Sequence, residues 1–108
     1  MYVISRVLTF EKGHEKEIEA FAGKKNIMSS FPGFIRKDVL LDQRDPDKDM
    51  VRIMVYWESK QAFYKFEGSP EHIAMHKNKD HAHHKQPEGL IEMKREAYQV
   101  IASDVYGA

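Results

Sequence analysis

Residues 34–58 read FIRKDVLLDQRDPDKDMVRIMVYWE, and this stretch decides the fold. FIRKDVLLD (34–42) and MVRIMVYWE (50–58) are rich in β-branched, aliphatic and aromatic side chains and read as strands. RDPDKD, around Pro46, is turn chemistry. The connection is too short for a crossover, so the two strands form an antiparallel hairpin. Within the second strand Val51, Ile53, Val55 and Trp57 share one face, and Met50, Met54 and Tyr56 lie on the other. Both faces are apolar, so both expect cover.

Reading outward toward the N-terminus, residues 2–10 form another strand. Tyr2, Ile4, Arg6, Leu8 and Phe10 fall on one face, and Val3, Ser5, Val7 and Thr9 on the other. Arg6 is the odd residue on the more apolar face. After Gly13, HEKEIEAFAGKKNIMSS places Ile18, Phe21, Ala22 and Met28 at helical spacing, with acidic residues in the first turn. Pro32-Gly33 ends this helix. Toward the C-terminus, Ser59 caps a helix carrying Ala62, Phe63 and Phe66, and Gly68 breaks it. Ser69 caps the next helix, with Pro70 at its first position, followed by Ile73, Met75 and His76. Residues 77–89 are charged and histidine-rich, close on Pro87 and Gly89, and read as an exposed loop. Residues 90–102 form the last strand. The order is β-α-β-β-α-β over one domain, residues 1–108. That predicts an α+β fold, a ferredoxin-like sandwich with helices on one face of a four-stranded antiparallel sheet. The open apolar face predicts a homodimer whose two sheets close a dimeric α+β barrel.

Composition narrows the chemistry. The chain has 108 residues, with 17 basic and 17 acidic side chains. That balance does not suggest a nucleic-acid binder. It has no cysteine, hence no disulfide framework, thiolate nucleophile or Fe–S cluster. MYVISRVLTF opens directly into a strand pattern without a signal-peptide signature. No apolar run approaches the roughly 20 residues that span a bilayer. The expectation is a soluble cytoplasmic protein with no membrane or nucleic-acid partner.

The chemical signal lies in WESKQAFYKFEGSPEHIAMHKNKDHAHH, residues 57–84. Five of the six histidines fall between His72 and His84, and histidine is the commonest metal ligand. His72 and His76, at i and i+4, share a helix face, the spacing of helical zinc sites. Glu71 precedes His72, so there is no HExxH. Nickel or zinc could use this pair together with His81, His83 or His84; the plainer reading of those three is a solvated polar loop. Arg6 marks a ligand pocket or else reaches the barrel rim or pairs with Glu92 or Glu96. Phe63, Phe66 and Met75 form a stripe that is commonly core. Phe63 reads as core. Trp57 reads as barrel or interface packing with its N–H paired.

The first strand with Gly13, GFIRKDVLL after Pro32, VYWESKQAF and above all SPEHIAMHK resemble the IsdG-like heme-degrading monooxygenases. These belong to the antibiotic-biosynthesis-monooxygenase group of dimeric α+β barrels, and the resemblance covers nearly the whole chain. It implies a pocket between the helices and the sheet of each subunit, where heme is opened and iron released using O2 and electrons. It implies that His76 is the proximal heme-iron ligand. The family's porphyrin-pressing Trp, ten residues before that ligand, falls on Phe66. The family's distal Asn on the first strand falls on Arg6, or on Ser5 with a one-residue offset. Arginine is a permanent cation with five donors, so Arg6 would take a propionate or an anionic distal ligand.

The expected function is therefore a heme-binding monooxygenase that degrades heme oxidatively. His76, Phe66, Arg6 and Phe63 would hold the heme, and His76, Phe66 and Arg6 would serve the chemistry. The chain has no flavin or nicotinamide fingerprint, so an external electron donor supplies the reductant. A cofactor-independent monooxygenase acting on an aromatic or quinone-like metabolite is one alternative. A non-catalytic heme- or metal-binding module is another.

Overall fold

Strand β1 (Tyr2–Glu11) lies inside a four-stranded antiparallel sheet, flanked by β3 (Lys48–Trp57) and β4 (Leu90–Gln99). Strand β2 (Phe34–Asp42) pairs with β3 on its other side, giving the order β2-β3-β1-β4. The helices are α1 (Glu15–Ala22), α2 (Lys60–Glu67) and α3 (Pro70–His81), with a 3-10 turn at Ile27–Ser30. In this computed structural model the backbone is described for residues 1–24, 26–81 and 86–107, and side chains for 1–24, 26–75 and 86–107. The β-α-β-β-α-β order and the hairpin at residues 34–58 are as the sequence predicts.

Register sets which side chains share a face, because directly opposed residues in an antiparallel pair point the same way. Tyr2, Ile4, Arg6, Leu8 and Phe10 of β1 stand beside Trp57, Val55, Ile53, Val51 and Asp49 of β3. This is the face that the helices cover. Ile4, Leu8, Phe10, Ile18, Val51, Ile53, Val55, Trp57, Phe63 and Phe66 form one buried cluster on it. Burying a side chain of this class stabilises by about 1.5–3 kcal/mol. The other face carries Val3, Val7, Met54, Tyr56, Leu40 and Tyr98, crossed by Arg52, which donates to Ser5 Oγ at 3.3 Å and lies 3.6 Å from Glu96.

The first helix is shorter than its pattern. It stops at Gly23, whose N–H donates to the Glu19 carbonyl, and the chain restarts as the 3-10 turn capped by Asn26. The asparagine side chain competes for backbone N–H groups and favours a cap over a helix interior. The third helix is longer than its pattern. It runs through residues 77–81, which read as loop because their charges leave no apolar stripe. Strand β3 begins two residues earlier than expected and β4 ends three earlier.

Gly33 has φ +89°, and a Cβ there would come 2.5 Å from the Ala62 Cβ. Glycine alone allows both that conformation and that approach. Its carbonyl accepts the Glu58 N–H at 2.7 Å, which fixes the start of α2 against β2.

Candidate active site

Ser59, two residues past β3, caps α2, its Oγ accepting the Ala62 N–H at 3.1 Å. One turn repeated puts Phe63 and Phe66 onto the sheet. Trp57 stacks on Phe66 with centroids 5.4 Å apart and meets Phe63 at 6.0 Å. Phe31 and Phe34 close the group edge-on, at 4.9 Å to Phe66 and 5.6 Å to Trp57. Phe66 is 5% exposed and Trp57 fully buried. Trp57 is thus part of the helix–sheet core and not of barrel or interface packing. Its Nε1 has no hydrogen-bond partner among the described residues, contrary to the expected pairing. The ring volume of the indole suits the aromatic stack, and no acceptor comes with it.

Ser69 makes the junction to α3. Its hydroxyl donates to the Phe66 carbonyl at 2.6 Å and accepts the His72 N–H at 3.2 Å. His72 lies 4.7 Å from the Phe66 ring, and its Nδ1 is 2.8 Å from the Glu67 carbonyl oxygen. A carbonyl only accepts, so Nδ1 carries a proton in this contact. His76 lies one turn further along α3. Its side chain and that of His81 lie outside the described residues, as do His83 and His84 altogether. Among the described residues no three metal-ligating side chains gather into a site.

Arg6 sits at the middle of the helix-covered face, opposite Ile53 on one side and Arg95 on the other. It pairs with neither carboxylate that sequence offered. Glu92 and Glu96 oppose Thr9 and Ser5, on the far face of the sheet, where Glu96 meets Arg52. Two further cations share the Arg6 face. Lys37 opposes Val55 on β2–β3. Arg95 donates to Glu67 Oε2 at 3.2 Å, with its guanidinium 5.6 Å from the Phe63 ring centre. Loss of hydration, then the Arg95 charge, push Arg6 below its ordinary pKa although it stays exposed. Loss of hydration, then Arg6, do the same to half-buried Lys37. Like charges and partial burial disfavour the charged form, so this is a locus of unmet positive charge. Lys37, Arg95 and Glu67 were missed from sequence. Strand register brings Lys37 and Arg95 to the face of Arg6, and the end of α2 brings Glu67 to Arg95; the local pattern around each reads as an ordinary solvated face.

The helix-covered face thus has a filled aromatic core at one end and cations at its middle, which offer charge-assisted hydrogen bonds to an anion. A family model for antibiotic biosynthesis monooxygenase matches residues 1–78, and the chain belongs to that family. Its class is that of the monooxygenases, oxidoreductases on a small α+β sheet-and-helix scaffold. Among curated relatives, a heme-degrading monooxygenase of Bacillus thuringiensis is 26% identical over 93% of this chain and 90% of its own. Among solved structures, an antibiotic biosynthesis monooxygenase from Bacillus cereus has a TM-score of 0.81 at 22% identity, covering 99% of this chain and 97% of that one. MhuD, a heme-degrader from Mycobacterium tuberculosis solved with two hemes bound in its active site, has a TM-score of 0.67 at 22% identity, covering 97% and 100%. SnoaB, a cofactor-independent oxygenase from Streptomyces nogalater, has a TM-score of 0.55 at 23% identity, covering 99% and 98%. The structural likenesses establish the shared fold.

Proposed function

We propose that this monooxygenase binds heme as its substrate and opens it oxidatively, releasing iron. The observation that carries the reading is the gathering of Arg6, Arg95 and Lys37 on one helix-covered sheet face, with Arg95 lying over the Phe63 ring. Such a surface suits a flat aromatic macrocycle with acidic substituents. The heme-degrading relatives support it, as does α3, which carries His76 one turn beyond a capped and well-anchored start.

In this reading His76 holds the heme iron, Phe63 lies against the ring, and Arg6 takes a propionate or an anion on the distal side. Phe66 is packed in the aromatic core, so its contact with the ring would require α2 to move off that core. Heme supplies the iron at which O2 is reduced, with electrons from an external donor. The protein's share is orientation, exclusion of water and a fixed positive field. The open sheet face, with Met54, Tyr56, Leu40 and Tyr98 on it, is the surface by which we propose that two copies close a homodimeric barrel.

One observation favours a second reading, a cofactor-independent oxygenase acting on a smaller aromatic or quinone-like metabolite. Phe66 is buried between Trp57 and Phe31 and is not presented to a macrocycle. The deciding experiment is a hemin titration of wild type and His76→Ala by absorbance, followed by ascorbate in air. A saturable Soret shift abolished in His76→Ala, then decay of the band with release of chelatable iron, is the expected result. A stable Soret band would leave a heme binder without turnover. No shift in the wild type would reject heme and leave the smaller aromatic substrate.

A further inference from the structure

We propose that Arg6, Lys37 and Arg95 together form an anion subsite on the helix-covered face, which takes the carboxylate of a flat aromatic substrate. In its porphyrin form this rests on the heme reading above. The subsite itself does not, because it follows from the charges.

Three cations share this patch. Arg95 has a carboxylate within reach, Glu67, at 3.2 Å. Among the described residues Arg6 and Lys37 have no hydrogen bond and no ion pair. Three positive charges against one negative leave two unmet. A protein does not ordinarily gather like charges on a half-shielded, otherwise apolar sheet face, because both desolvation and mutual repulsion oppose it. Strand register nonetheless forces the gathering. Arg6 and Arg95 are direct cross-strand partners, and Lys37 lies on the same face two strands away, opposite Val55. Like charges directly opposite in a sheet are destabilising. A carboxylate entering between them relieves the repulsion and gains charge-assisted hydrogen bonds from planar guanidinium groups suited to it.

Access and shape agree. Arg6 and Arg95 are exposed and Lys37 is half-buried, so an anion from solvent can reach the group. Over β4 the helix-covered face is thinly covered, with Met93, the cross-strand partner of Leu8, 56% exposed. The exposed Met93 side chain, two residues from Arg95 on the same face, gives an aromatic body a surface beside the charge, and the buried Phe63 ring backs the Arg95 guanidinium. The selected molecule is therefore an aromatic acid, and the neutral ester of the same ring system is the discriminating control.

The test uses the full chain and two probe pairs, metal-free protoporphyrin against its dimethyl ester and an anthraquinone carboxylate against anthraquinone. Binding is read by quenching of Trp57, the only tryptophan. For whichever ring system binds, the acid is expected to bind about tenfold more tightly than its neutral partner. Arg6→Gln should bring the two within about threefold, Lys37→Gln should narrow the gap in part, and Arg6→Lys should keep a preference. Thermal melts confirm that each variant is folded. Acid and neutral forms binding equally to the wild type, or a preference unchanged in Arg6→Gln, overturns the subsite. That result leaves the heme reading standing if hemin still shows a His76-dependent Soret shift. An Arg6-dependent preference for the anthraquinone acid, with no porphyrin binding, keeps the subsite and rejects heme. Failure of both pairs to bind overturns the subsite.

Discussion

At the Trp57 end of the helix-covered face, Trp57 packs with the rings of Phe34, Phe63 and Phe66, and Phe66 with that of Phe31. Four residues back along the same strand, about 13 Å at strand rise, Ile53 stands beside Arg6, whose own neighbours are Arg95 and, across the sheet, Lys37. The first region is filled and gains its energy from its own contacts. The second accumulates charge that those contacts do not satisfy. Stability and recognition are thus separated along one sheet face, and the recognising half is the one that folding alone would not favour.

Substitution in the aromatic half should cost most. Phe66→Ala removes a 5% exposed ring that touches Trp57, Phe31 and His72. Loss of a buried phenylalanine costs about 3–5 kcal/mol, read as a lowered urea midpoint at unchanged slope. A loss below about 1 kcal/mol would mean that the aromatic end is loosely packed and the contrast between halves is wrong. Next comes the joint between the core and α3. Ser69→Ala removes both the His72 cap and the bond to the Phe66 carbonyl, at about 1 kcal/mol. Hydrogen exchange should speed up first at the start of α3, ahead of the sheet.

Arg6→Met reverses the sign expected of a sheet-centre mutation. It removes one member of a like-charge pair from a face that is otherwise apolar. Stability should stay level or rise, by no more than about 1 kcal/mol because the group is exposed, while affinity for aromatic acids falls. A clear destabilisation would assign Arg6 a structural ion pair and dissolve the comparison.

How far the sequence carried these conclusions follows the same division. Alternation in MVRIMVYWE and the turn at RDPDKD made the hairpin and its faces legible, because a period of two is local information. The oddness of Arg6 was equally local. Its company was not. Arg95 reaches it only through the β1–β4 register, and nothing in LIEMKREAYQ distinguishes Arg95 from Lys94, which points to the other face. The role of Trp57 was misread for a related reason. Its strand face was correctly grouped with Val51, Ile53 and Val55. Which partner covers that face depends on where α2 lands, and Gly33 sets that through its contact with Ala62. The His76 side chain lies outside the described residues, so its place in the site rests on resemblance and on its position in α3.

The smallest effect is electrostatic and gives the sharpest test of whether Arg6 and Lys37 sense one another. Burial first, and Arg6 second, hold the Lys37 ammonium below the ordinary lysine value. A cation with a depressed folded pKa destabilises the fold while charged. As pH rises through that lowered pKa toward the unfolded value near 10.5, the folded state sheds its proton first and the penalty is relieved. Stability contributed by this group therefore increases with pH in that window. Asp42 has the same sign in an acid window, for the opposite reason: there the charged form is the favoured one. Hydrogen bonds from Arg44 hold its carboxyl at about 2 against an ordinary 3.8, so its contribution is present above 3.8 and fades as pH falls toward 2. In Arg6→Gln the Lys37 titration, followed by NMR at its Cε, should move upward while that of Asp42 stays fixed. A Lys37 midpoint unmoved by loss of Arg6 would separate the two cations, and the middle of the sheet would then hold two isolated charges and no shared subsite.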